Sequence, residues 1–181
     1  LLHQAYETFI KIFDTEISTR TVKALKIFGD KTGINGMLGG QSADVLHTGE
    51  IISDELLYYI YEKKTGALIE GAMLTGSVLA GCNDEDLAKI KRVGELVGLA
   101  FQIKDDILDI YGNEKEIGKP LHSDEKNNKK TYITINGIEK SEHDIVVMSE
   151  EACDIVSSIG NDVEERDFII KLIKYLTDRT Y

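Results

Sequence analysis

Three aspartates, Asp105, Asp106 and Asp109, stand inside the otherwise apolar run FQIKDDILDIYG, residues 101–112. At 3.6 residues per turn, Asp105 and Asp109 lie one above the other on a helix face, and Gln102 shares it. Phe101, Ile103, Ile107, Leu108 and Ile110 surround them, which is not the composition of an ordinary solvated stripe. Carboxylates stacked this closely repel one another. A hard divalent cation offsets that repulsion, and Mg²⁺ takes one or two carboxylates together with waters and phosphate oxygens. An acidic surface stripe late in an amphipathic helix is the alternative without chemistry. A calcium loop is disfavoured, because Leu108 occupies a position where the EF-hand pattern needs an oxygen.

Other stretches suit a diphosphate. Lys64-Thr65-Gly66 offers an ammonium, a hydroxyl and a position with no side chain to block approach. It is not a P-loop, since the upstream glycine pattern is absent. Gly118-Lys119 follows ten residues after Asp109, with Lys129 and Lys130 beyond. Lys119 could bring positive charge over a bound phosphate, whereas Lys129 and Lys130 read as a solvated loop. A further stretch, Gly39, Gly40, Gln41 and Asp44, could equally be a helix distorted at paired glycines. The four histidines form no ligand pair.

Helices must position these groups. One proline in 181 residues, Pro120, leaves long helices unbroken. Apolar spacing predicts a helix from Leu1 to about Phe13, and another from about Ser18 into the 30s. Ser53 or Asp54 caps a third, running to about Ala80, in which Gly66, Gly71 and Gly76 imply close packing or a ligand. Asn83 caps a fourth, from about Asp84 to Tyr111, ended by Gly112. Residues 113–130 read as a long polar loop. Thr131–Ile138, TYITINGI, has strand-like composition with an Asn-Gly turn signal. No partner strand is evident, so a short helix is expected there. Two short helices follow, capped at Ser141 (with Asp144) and at Asn161 (with Glu164).

Composition narrows the function. With 21 Lys+Arg against 32 Asp+Glu, the formal charge is −11, a poor basis for binding nucleic acid. At 42% hydrophobic the chain can build a core, and one domain is the expectation. Cys82 and Cys153 form no metal or redox motif and fit a reducing, cytoplasmic compartment. No apolar run spans a membrane. The chain opens on an apolar helical pattern with no cap, which suggests sequence upstream of Leu1.

In order along the chain, GGQSAD, KTGALIEGA, GLAFQIKDDILD, GK and KKTY resemble the second half of the trans-polyprenyl diphosphate synthases, the family of farnesyl and geranylgeranyl diphosphate synthases. The resemblance covers Leu1 to about Ile138 clearly and the last helices loosely. It implies an all-α fold of long antiparallel helices around a central cavity, with residues 1–181 forming the C-terminal part of a single synthase domain and the N-terminal helices absent. It implies condensation of an allylic diphosphate with isopentenyl diphosphate, assisted by Mg²⁺, in a homodimer. Asp105 matches the leading metal ligand, with Asp106 and Asp109 behind it. Lys64, Thr65, Gln102 and Lys119 match contacts to the allylic diphosphate, and Phe101 a residue near the isoprenoid chain. The family's first aspartate-rich motif has no counterpart before Asp105, so half the metal site is absent and the chain as written is expected to be inactive. Farnesyl diphosphate is the product the resemblance favours. A non-catalytic regulatory or assembly subunit is the alternative, and a terpene cyclase a weaker one.

Overall fold

The computed structural model describes residues 1–112, 129–160 and 163–179, and among these every regular element is helical. Two aromatic-rich helices begin the chain. α1, Leu2–Ile10, runs into a short 3₁₀ turn, Lys11–Asp14, and α2 spans Thr19–Thr32. Ser18 caps α2, accepting from the Thr21 amide while the Thr21 hydroxyl accepts from the Ser18 amide. Tyr6 and Phe9 of α1 pack on Phe28 of α2, with ring centroids 4.7 and 5.5 Å apart.

α3, Met37–Leu46, carries the paired glycines as regular helix. The expected third helix is continuous but not uniform. α4, Asp54–Ile60, is capped by Ser53; a π-helical turn covers Tyr61–Gly66; and α5 continues over Ala67–Leu79. The widened turn contains the whole Lys64-Thr65-Gly66 stretch, and such turns recur at functional sites.

α6, Asp84–Tyr111, has 28 residues and is capped by Asn83, whose side-chain oxygen accepts from the Asp86 amide at 2.9 Å. It runs antiparallel to α4 and α5: Tyr61 faces Asp106, Thr65 faces Gln102, and Glu70 faces Gly94. Glycine makes the crossing possible. A Cβ on Gly98 would lie 2.6 Å from the Gly66 Cα, and one on Gly94 would lie 2.7 Å from the Glu70 Cα. Gly71 lies equally close to Lys31, whereas Gly76 faces open space, so the expectation of close packing holds at two of the three helix glycines.

α7, Tyr132–Asn136, confirms the short helix expected in TYITINGI, and Thr131 and Thr134 form a reciprocal cap at its start. Gly137 ends it with φ of 77°. α8, Ile138–Ser157, begins at once. This corrects the expected cap at Ser141, which is buried inside α8 and donates to the Gly137 carbonyl at 2.7 Å. Asn161 lies outside the described residues, and α9 is Val163–Asp178. Leu57, Ile60 and Tyr61 meet Ala100, Ile103, Ile107 and Ile145 in one apolar core; Val93, Leu96 and Val97 meet Ala152, Val156 and Ile173 in another. Both cysteines are free thiols. No described helix is long and apolar enough to cross a membrane.

Candidate active site

The π turn, α3 and α6 bring the chemistry-bearing residues together. α3 rests directly on the turn, because Gly40 has no side chain; a Cβ there would run into the Lys64 amide nitrogen. Asp44, one helical turn beyond Gly40, therefore sits beside the Lys64 side chain. Lys64 Nζ lies 2.6 Å from Asp44 Oδ2, and Lys129 Nζ lies 3.0 Å from Asp44 Oδ1. The Asp44 carboxylate is 13% exposed. Burial raises its pKa, but hydrogen bonds and charge from Lys64 and Lys129 outweigh that and hold it below the ordinary carboxylate value.

Lys129 and Lys130 are thus not a solvated loop. Lys130 donates to the Ile52 carbonyl at 3.0 Å and pairs with Asp54, which anchors the stretch just ahead of α7.

Thr65 and Gln102 join the turn to α6, with Thr65 Oγ1 donating to Gln102 Oε1 at 2.9 Å. Asp105 lies three residues farther along. Its carboxylate is 34% exposed and pairs with Arg179 at the end of the described chain. The Arg179 guanidinium also lies 3.9 Å over the Phe101 ring, a cation–π contact, and Nη2 reaches the Phe101 carbonyl at 3.4 Å.

The three aspartates do not share one environment. Asp106 is 4% exposed and Asp109 is 2% exposed. One Asp106 oxygen, Oδ2, accepts from the Tyr61 hydroxyl and from the Tyr132 amide, the latter at 3.0 Å. Among the described residues no group of three acidic, histidine or cysteine side chains is arranged to hold a metal. The donor set fits a magnesium ion bound through one hard carboxylate, Asp105, and completed by water and phosphate oxygens.

Of the residues singled out in the sequence, Lys64, Thr65, Phe101, Gln102 and Asp105 come together along the π turn and α6. Asp44, in the stretch that could have been either a chemical signal or a distorted helix, is the ion-pair partner of Lys64. Lys119 lies outside the described residues. Sequence reasoning missed Lys129 and Arg179. Lys129 stands in KKTY, a stretch whose charge was visible but whose partner was not. Arg179 had no local signal.

An apolar groove of about 390 Å³ lies between α5 and the first two helices. Ala67, Leu68, Gly71 and Ala72 continue down α5 from Lys64 and line it, with Leu2 and Phe28 opposite.

The polyprenyl synthetase family model matches residues 1–172. A dimethylallyltranstransferase of Fischerella ambigua is 34% identical over 183 residues, which is 100% of this chain and 52% of that protein. The farnesyl diphosphate synthase of Bacillus subtilis is 29% identical over 184 residues, 100% of this chain and 60% of that protein. The chain thus spans between about half and three-fifths of the length of these relatives. A Helicobacter pylori geranyltransferase, solved with magnesium and isoprenyl diphosphate, superposes with a TM-score of 0.74 at 25% identity, over 93% of this chain and 55% of that one. The polyprenyl synthetase of Streptomyces coelicolor shares the fold with a TM-score of 0.81 at 19% identity, over 96% of this chain and 63% of that one. With the helical architecture, the glycine-mediated crossing and the family match over nearly the whole chain in agreement, this protein belongs to the polyprenyl synthetase family.

Proposed function

We propose that the cluster around Lys64 and Asp105 is the allylic-diphosphate half of a prenyl transferase site, and that the protein condenses an allylic diphosphate with isopentenyl diphosphate. One observation carries the reading: two lysines converge on a single carboxylate, Asp44, beside a hydroxyl and amide pair that leads directly to Asp105. A diphosphate offers Lys64 and Lys129 more charge than Asp44 does, and its bridging and terminal oxygens suit the Thr65 hydroxyl. The apolar groove lined by Ala67, Leu68, Gly71 and Ala72, the residues that follow the Lys64-Thr65-Gly66 stretch, gives the hydrocarbon chain a path away from water.

The chemistry is the loss of diphosphate. The allylic C–O bond breaks and its electron pair leaves with the diphosphate. The isopentenyl double bond then attacks the allylic cation, and a proton is lost from the adduct. Mg²⁺ held by Asp105 would supply Lewis-acid charge at the leaving oxygens. The protein's own part is electrostatic. Lys64 and Lys129 hold the departing charge, and Thr65 and Gln102 orient it. Lys119 is assigned to the same diphosphate by resemblance alone.

Farnesyl diphosphate is the product favoured by the likeness to farnesyl diphosphate synthases. The reading also places these residues in a larger single domain that works as a cytoplasmic homodimer; exposed Ile10, Ile17 and Val22 on and beside the first two helices supply apolar surface for pairing.

The test is calorimetric titration with pyrophosphate, with and without Mg²⁺. Binding that requires Mg²⁺ and weakens about tenfold in Lys64→Ala is expected, the loss of one charge-assisted contact. Binding that ignores both the metal and Lys64 would sink the proposal.

A further inference from the structure

Asp106 stands next to the partly exposed Asp105 but is itself buried, and its Oδ2 contacts run to buried groups. Its Oδ2 accepts the Tyr61 hydroxyl from the first residue of the π turn. The same oxygen accepts the Tyr132 amide at 3.0 Å, and that amide also lies 3.2 Å from the Tyr61 hydroxyl. The Tyr132 amide is the first in α7, where the backbone has no intrahelical partner and where negative charge is favourable. Tyr132 is held at its other end too, since its hydroxyl donates to Asp144 at 2.6 Å.

Three elements therefore meet at one carboxylate. α6 carries Gln102 and Asp105. The π turn carries Lys64 and Thr65. The stretch ahead of α7 carries Lys129, three residues before Tyr132. We infer that Asp106 is a positioning residue rather than a metal ligand: through Tyr61 and the Tyr132 amide it holds the Lys64 arm and the Lys129 arm in register with Asp105. This rests on the diphosphate reading above for its functional consequence, but not for the clamp itself.

The geometry separates the two roles. A metal ligand must present an oxygen to the site, as Asp105 does. Asp106 instead spends one oxygen on two donors from two other segments, in a position 4% exposed. A buried carboxylate shared in this way is costly to disturb, because both donors lose their acceptor together.

The experiment compares Asp106→Ala, Asp106→Asn, Tyr61→Phe and Asp105→Asn in the intact protein. Amide hydrogen exchange at Tyr132 and magnesium-dependent pyrophosphate binding are the readouts. Asp106→Ala should speed exchange at Tyr132 and weaken pyrophosphate binding, each about tenfold, with the Mg²⁺ concentration for half-saturation unchanged. Tyr61→Phe, which keeps the carboxylate, should move both in the same direction by less. Asp106→Asn keeps an oxygen acceptor and should hold both within about threefold of the parent. Asp105→Asn should raise the Mg²⁺ requirement and leave Tyr132 exchange alone. The inference is overturned if Asp106→Asn raises the Mg²⁺ requirement as far as Asp105→Asn does. It is equally overturned if Tyr132 exchange is unchanged in Asp106→Ala, or, should that variant not fold, in Tyr61→Phe. A parent protein that takes no magnesium pyrophosphate removes the functional reading, while exchange at Tyr132 still decides the clamp.

Discussion

Where Gly66 meets Gly98 and Glu70 meets Gly94, the end of the π turn and α5 touch α6 backbone to backbone. Toward the other end of α6, at Gln102, Asp105 and Asp106, the same helix reaches its neighbours through side-chain oxygens. The first region has no adjustable part: adding a single carbon forces a main chain to move. The second consists of hydrogen bonds and ion pairs that can be exchanged for others. On the proposed function, a site that releases one anion and accepts another would use such exchangeable contacts, with the fixed crossing beneath keeping them in range.

The sharpest way to break the comparison is to overfill the crossing. Gly98→Val should cost about 3 kcal/mol in urea unfolding, the upper end of ordinary overpacking, because the obstacle is backbone. A cost below about 1 kcal/mol would mean that the crossing yields as readily as the site. In the polar region, Asp105→Ala should lower magnesium-dependent prenyl transfer by the full-length protein at least about a hundredfold, as for a group acting on developing charge. The same change should leave the melting temperature within a few degrees, since a partly exposed ion pair contributes about 1 kcal/mol or less. Near-normal turnover in that variant refutes the assignment.

Acid should separate the regions more gently. The folded-state pKa of Asp44 lies below its ordinary value, so the stability it contributes is present above about pH 4 and is lost as pH falls through the folded value. About 1 kcal/mol should disappear over that range and be missing from Asp44→Asn, as measured by urea unfolding at stepped pH. An identical acid profile in that variant would remove Asp44 as the lysines' partner. The smallest effect is expected at Gly76, which faces open space. Gly76→Ala should be neutral or stabilise by up to about 1 kcal/mol through helix propensity alone, in contrast to a side chain added at Gly71, which would meet Lys31.

Much of this was legible in the sequence because it is local. Ser18, Ser53 and Asn83 each cap the helix that follows, through bonds spanning three residues. The KTG and DDILD stretches stood out by chemistry. Other features depend on contacts far along the chain. The π turn shows no propensity of its own, and its partners on α3 and α6 set its place. TYITINGI has the composition of a strand, yet its first turn is stabilised by the Thr131 cap and by Asp106, 26 residues away from Tyr132. Ser141 looked like a cap because a helix can start on a serine; Gly137, with its positive φ, had already turned the chain. Asp44 waits on Lys129, and Asp105 on Arg179, 74 residues away, and neither pairing leaves a local trace.

Gly40 carries a mechanical consequence. With its backbone seated against the Lys64 amide, α3 cannot slide relative to the π turn, so Asp44 and Lys64 ride on one rigid body. With the two backbones in contact, the ion pair can be opened by side-chain rotation without displacing either helix. On the proposed reading, an incoming diphosphate would need only to turn Lys64 and Asp44 apart, with the helix and the turn that carry them staying in place.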